Sequence, residues 1–312
     1  MSNFQVCINA VLPIFLIIAL GYLARSLGAI QREEVPKLNK LAFRYFMPVM
    51  LFYNVYTSDL STAVQPRVLL FAVISVLCVY FLSLAYILLT EKNAENRSVK
   101  IQGLYRSNFV FIGIPLAAEL VSGADLGPVV LLIAVVVPMF NVLAVITLEA
   151  FRGSRPAFGK LLLDIAKNPL ILGTVVGLLF LLLGIRLPSP IVGTAKQIAA
   201  ATSPIMLFLL GAFFKFDGLK RYAKDLIEVC IGRLIVIPGI FLTAAMLCGI
   251  RGIEFAGMIA IFGSATAIAS FTMAQQMGGN DELAGDIVVC TSALCSFTMF
   301  GWALLFKTLG AF

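Results

Sequence analysis

The sequence predicts an all-α polytopic membrane protein: ten transmembrane helices in an inverted 5+5 repeat, with helices four and nine broken and crossing. Three observations lead there. Of 312 residues, 61% are hydrophobic and 12% charged, with a mean hydropathy of +1.02, whereas soluble domains are about 45–50% apolar and about 25% charged. Lysines and arginines crowd alternate connections. The chain also matches itself at one ungapped offset of 156 residues, which carries Pro13 onto Pro169.

Apolar segments near the roughly 20 residues a span requires fall at 7–28, 37–56, 68–90, 101–122, 126–150, 168–186, 191–215, 226–249, 255–277 and 283–306. The start, Met1-Ser-Asn-Phe-Gln, lacks the basic residues of a cleavable signal, so the first run is expected to be a mature span. Connections are short and leave no room for a soluble domain. The longest, Arg152 to Lys167, reads RGSRPAFGKLLLDIAK and contains an amphipathic turn or two suited to the membrane surface. The six cysteines, at 7, 78, 230, 248, 290 and 295, lie in or beside apolar runs without CxxC spacing and read as small core residues, with no metal or disulfide role.

Orientation follows from the basic residues. One side carries Arg25, Arg32, Lys37, Lys40 and Arg44; Lys92, Arg97, Lys100 and Arg106; Arg152, Arg155, Lys160 and Lys167; and Lys215, Lys220, Arg221 and Lys224. The other has Arg67, Arg186, Lys196, Arg251 and Lys307, and Arg233 sits inside a span. The contrast predicts a multi-pass protein of the cell (inner) membrane with both termini outside the cytoplasm and 152–167 inside. It also accounts for the net charge of +7 without a nucleic-acid partner.

The offset pairs Gly21 with Gly177, Gly28 with Gly184, Gly123 with Gly279 and Asp125 with Asp281, and lays PVMLF (48–52) on PIMLF (204–208). Each half holds an odd number of spans, so the second lies upside down relative to the first. Inverted repeats characterise secondary transporters, whose substrates bind near the midplane at discontinuous helices. Residues 103–123, GLYRSNFVFIGIPLAAELVSG, are long and apolar enough to cross a bilayer, yet carry Asn108, Gly113 and Pro115. Proline removes a backbone donor and clashes one turn back, and each unsatisfied backbone group in hydrocarbon costs several kcal/mol. The break must therefore be buried in protein or line a polar cavity. Its repeat partner, 259–279, has no proline, but Gly263 to Ser270 is nearly all small or hydroxylated, and Asn108 falls on Ser264. Two such breaks could cross and present backbone amides to an anion; small residues could equally serve close helix packing.

SNFVFIGIPL, SATAIASFTMAQQMGG, the PVMLF/PIMLF pair and KNPLILGTVVGLL together resemble the auxin efflux carrier family across the whole chain, and its short bacterial members best, some of which are described as malonate or malate transporters. The resemblance implies a scaffold from spans 1, 2, 6 and 7 (residues 1–58 and 168–216) and a mobile transport unit from spans 3–5 and 8–10 (59–151 and 217–312), with 152–167 as the cytoplasmic connection. It carries the crossover asparagine and proline onto Asn108 and Pro115 and the helix-five asparagine onto Asn141. Two departures stand out: Ala265 falls where many relatives have proline, and 68–89 lacks the charge that the plant carriers place in helix three. Their long cytoplasmic loop is also missing.

Ionisable residues inside spans cost at least about 2.5–3.5 kcal/mol at a helix centre unless paired. Arg233 with Glu228 reads either as a structural pair or as an anion-attracting site; Asp286 as interfacial or as a coupling group; Glu119 as a candidate proton-linked carboxylate; Glu149 as the membrane-edge partner of Arg152. Arg106 reads as cytoplasmic-facing, or as a guide for an anion. With no histidine in the chain, no HExxH and no nucleophile–base constellation, enzyme chemistry is not expected, nor a cofactor; absence of GxxxxGK[ST] argues against an ATP-driven pump. The expected activity is alternating-access transport of a small organic anion, a mono- or dicarboxylate, by an elevator motion in a homodimer. Asn108, Gly113, Pro115, Asn141, Ser264, Thr266 and Ser270 form the expected substrate site, and proton or sodium coupling is an open possibility. An ion-coupled carrier of another substrate, or a channel or sensor on the same fold, is the alternative.

Overall fold

The computed structural model describes residues 3–58, 66–109, 127–152 and 158–311. The described residues are almost entirely helical. α1 is Asn3–Ser26. α2 (35–56) runs through Val35–Leu41, a π-type turn at Ala42–Phe46 and Met47–Tyr56. α3 is Pro66–Thr90, α4 Ala94–Tyr105 and α5 Gly127–Ala150. In the central connection lies α6, Phe158–Ala166, followed by α7 Pro169–Leu182, α8 Ser189–Phe213 and the short α9 Phe216–Arg221. α10 (223–247) runs through Ala223–Ile231, a π-type turn at Gly232–Val236 and Ile237–Leu247. α11 is Gly252–Gly263, α12 Ala269–Met277 and α13 Asp281–Thr308. Among the described residues, five helical stretches are long and apolar enough to cross a membrane: Pro66–Thr90, Leu131–Ala150, Ser189–Phe213, Ala223–Leu247 and Asp281–Thr308.

The outward faces are those of a protein solvated by lipid. Leu12, Leu16, Leu20 and Leu23 stand exposed along one stripe of α1, the three- and four-residue spacing of a single helical face. In water such a stripe would be an aggregation surface. Helix starts carry their own signals. Asn93, Asn168 and Asn280 cap α4, α7 and α13, accepting from the amides of Glu95, Leu170 and Leu283 at 2.9, 2.9 and 3.1 Å.

Both π-type turns precede a proline by a few residues, Pro48 and Pro238. A proline orphans the carbonyl four residues back. For Pro238 that carbonyl belongs to Leu234, and the Trp302 indole N–H on α13 donates to it at 2.9 Å.

Two close helix contacts obey the repeat. On α1, Gly21 lies so tight against the carbonyl of Phe208 on α8 that a Cβ there would collide with it. On α7, a Cβ at Gly177 would come within 2.8 Å of the carbonyl of Phe52 on α2. The 156-residue offset turns one contact into the other, Gly21 into Gly177 and Phe208 into Phe52. The matching PVMLF and PIMLF segments are thus the surfaces each half offers to the other. Thr202 on α8 also donates to the carbonyl of Phe46, its own repeat equivalent, at 3.4 Å.

Filling either glycine is expected to be destabilising, because a Cβ would meet backbone rather than a yielding side chain. Gly21→Val and Gly177→Val should each cost about 1–3 kcal/mol and lower the melting temperature in detergent. Gly301→Val, where a Cβ would meet nothing within 4 Å, should leave it unchanged; equal behaviour of all three variants would refute the account.

Candidate functional site

The centre of the molecule is a pair of interrupted helices. α4 stops at Tyr105, where Arg106 turns extended. α11 stops at Gly263, Ser264 turns extended, and helix resumes only at Ala269. The second interruption therefore forms without a proline: Ser264, Thr266 and the small residues around them tolerate the extended backbone. The two breaks lie side by side as an antiparallel bridge between Ser107 and Thr266. The amide of Asn108 donates to the carbonyl of Ala265 at 2.8 Å, and that of Ala267 to the carbonyl of Arg106 at 3.1 Å. Each interruption thereby satisfies part of the other's backbone, which a break buried in hydrocarbon requires.

The remaining carbonyls converge on one side chain. Arg233, 1% exposed in the π-type turn of α10, donates to Ser264 at 2.9 Å, Ile261 at 2.9 Å and Leu104 at 3.2 Å, all backbone oxygens. These lie at the C-terminal ends of α4 and α11, where the helix dipoles are negative, so a guanidinium suits them in charge as well as in donors. Arg233 does not pair with Glu228. That carboxylate reaches Lys100 at 2.8 Å, together with Asp225 at 2.8 Å and Glu91 at 3.5 Å. Burial alone would lift the Glu91 carboxyl; the backbone amides of Asn93 and Lys92 and the Lys100 ammonium hold it below the usual range.

A second buried arginine has a different setting. Arg106 is 3% exposed. Its partners are neutral: the side-chain oxygen of Asn141, that of Gln102 at 3.3 Å and the sulfur of Met273 at 2.8 Å. It borders a cavity of about 70 Å³ whose polar lining includes Ser107, Asn108, Asn141, Asn54 and Ser203. The Asn108 Nδ2 and the Ser107 hydroxyl are buried and have no hydrogen-bond partner among the described residues. The far wall is apolar, with Met47, Met50 and Leu51 of α2 and Met206 of α8. Ala267 to Ala269, where α12 begins, complete the lining. Among the described residues no side chain caps that helix start; the amides of Ser270 and Phe271 donate to the carbonyls of Ala267 and Ile268 at 2.9 and 3.1 Å, and the positive end of the helix lies at the cavity wall.

The expected site residues thus separate. Asn108 and Asn141 meet in the cavity. The Thr266 hydroxyl donates to the carbonyl of Gly103 at 2.8 Å, and its amide to the Thr291 hydroxyl at 3.2 Å. Ser264 and Ser270 are buried, their hydroxyls without a partner among the described residues, and do not line this cavity. Asp286 borders a different one. Glu149 pairs with Arg152 at 3.4 Å. Gly113, Pro115 and Glu119 lie outside the described residues. Arg106, Ser107, Asn54 and Ser203 were not anticipated as lining. The available signal was Arg106 itself, a charge two residues from a helix break in an apolar segment.

Two consecutive stretches, residues 6–156 and 152–303, match the sequence profile of the membrane transport protein family. The chain belongs to this family, the auxin efflux carriers. The two matches divide this membrane transporter where the 156-residue offset divides it. It is similar to an uncharacterized transporter of Methanocaldococcus jannaschii, 25% identical over 95% of this chain and 98% of the relative. A second, from Methanothermobacter thermautotrophicus, is 21% identical over 95% and 97%. The uncharacterized transporter YfdV of Escherichia coli is 25% identical over 77% and 79%.

If Arg233 is the clamp on the broken ends, Arg233→Met should orphan three carbonyls at about 1–3 kcal/mol each. The variant is expected to lose most of its monodisperse folded population in detergent. A wild-type melting curve for it would dismiss the clamp.

Proposed function

We propose that this transporter carries a small organic anion, a mono- or dicarboxylate, bound at the crossing of the two interrupted helices. The observation that carries the reading is Arg106: a buried guanidinium held only by neutral groups among the described residues, on the wall of a cavity that also receives an uncapped helix start. A cation in that position costs free energy, and a carboxylate arriving beside it offsets that cost. Asn108 and Ser107 bring donors without partners, and Asn141 orients the guanidinium. Gly113 and Pro115, outside the described residues, belong to this reading on their sequence alone, and Ser264, Thr266 and Ser270 support the crossing from behind.

In this reading the chain forms ten spans in two inverted halves in the cell membrane, with both termini outside the cytoplasm. α1, α2, α7 and α8 form the scaffold, and the remaining spans form a unit that slides against it as an elevator, in a homodimer. The cavity's place supports that division, since α2 and α8 supply one wall and the interrupted helices and α5 the other. The polar contacts of Asn39 on α2 with Gln275 and Thr272 on α12, at 2.7 and 3.1 Å, bridge the same seam and would break as the unit moves.

Flux of labelled carboxylates into proteoliposomes tests the substrate class; if none moves or competes, the anion reading falls. Within that assay Arg106→Gln should weaken half-saturation by about 2–5 kcal/mol, more than about tenfold, while the protein melts as wild type. Asn108→Ala is expected to abolish saturable transport with the fold retained. Unchanged kinetics in either variant would remove that residue from the site.

A further inference from the structure

A second cavity, of about 90 Å³, lies where the end of α8, the short α9 and the first turns of α13 meet. Its least solvated polar group is Asp286, 3% exposed, whose Oδ2 is buried with no hydrogen-bond partner among the described residues. The backbone of α9 closes over this carboxyl: a Cβ built on Gly218 would collide with the same Oδ2. Leu210, Phe213 and Phe214 from α8 supply the apolar side.

The charged groups facing the cavity are Arg32 from the α1–α2 connection, Lys215, Asp217 and Arg221 at α9, and Glu282 on α13 itself; Cys290 lies one turn further along α13. The two guanidiniums are spent on Glu282, Arg32 at 2.7 Å and Arg221 at 3.2 Å. A metal cation is disfavoured by three basic side chains in the lining. An unpaired carboxylate anion there forfeits its hydration at a cost of several kcal/mol, and binding one proton removes that cost.

We propose that Asp286 is a proton-binding site of this transporter, loaded while the seam between α8 and α13 is closed and unloaded when that seam opens to water. The proposal rests on the carrier reading above, in which α8 belongs to the scaffold and α13 to the moving unit. One proton binds the carboxylate and leaves from it, and no other bond changes. Proton release and the sliding step would then be linked, because the closed seam excludes the charged form.

Infrared difference spectra of the full chain in lipid, recorded between mildly acidic and mildly alkaline pH, test the site without a substrate. Wild type should show a protonated-carboxyl band that titrates, Asp286→Asn should lack it, and Asp286→Glu should restore it at a shifted position. No titrating band in wild type, or its persistence in Asp286→Asn, overturns the proposal. In proteoliposomes, with whichever carboxylate wild type moves, a pH gradient should accelerate wild-type uptake. Asp286→Asn should retain exchange while its net uptake falls to the rate without a gradient. A wild type indifferent to the gradient, or a variant that keeps the acceleration, also overturns it. If wild type moves no carboxylate, the anion reading fails and the infrared band alone decides the proton site.

Discussion

Interrupting two helices at the centre of an apolar molecule leaves carbonyls that water cannot reach, and Arg233 is what makes the interruption tolerable. Its guanidinium takes oxygens from the ends of both α4 and α11, so one side chain fixes the two breaks relative to each other. The clamp depends on α10 being wound as a π-type turn around Arg233. The proline that follows, Pro238, is accommodated in turn by Trp302 on α13. Position, charge and donor number all converge on one residue that the sequence shows only as an arginine in an apolar helix.

Comparing the two buried arginines sorts structure from function. Arg233 is bound by backbone oxygens at negative helix ends, where its charge is already compensated. Arg106 is bound by two amide oxygens and a sulfur, none of which carries a formal charge, and it borders open space. Among the described residues Arg106 has no counter-charge, and a buried cation without one is expensive; that cost is what motivates the anion proposed above. The uncapped start of α12 adds a second positive feature on the same wall.

The spans were legible because length and apolarity are local properties. Among the described residues, helix occupies most of each apolar segment, interrupted at 106–108 and 264–268, and five helical stretches are long and apolar enough to cross a membrane. The break at Ser264 was legible in its run of small and hydroxylated residues, even without a proline. What the sequence hid were partnerships. Arg233 and Glu228 are close in sequence, yet Glu228 turns to Lys100 on α4, because pairing across helices depends on how they pack. Arg106 was counted among the basic residues of a connection, since a charge near a span boundary looks the same whether the helix ends there or folds inward. The partners of Thr266 were equally hidden: its hydroxyl donates to the carbonyl of Gly103 and its amide to the Thr291 hydroxyl.

The repeat explains the frame and also where it stops explaining. The offset that carries Gly21 onto Gly177 carries Arg106 onto Phe262, Asn141 onto Phe297 and Asn54 onto Leu210; read backwards, it carries Arg233 onto Leu77 and Asp286 onto Val130. The glycine contacts that bring the halves together exist in both copies. Arg106, Asn141, Asn54, Arg233 and Asp286 exist in one copy, with apolar residues at the equivalent positions, while Asn108 falls on the polar Ser264. The duplication supplies the matching segments in which both interruptions lie. The divergence of the halves supplies the two guanidiniums, Arg233 holding the carbonyls of the crossing and Arg106 bordering the cavity beside it.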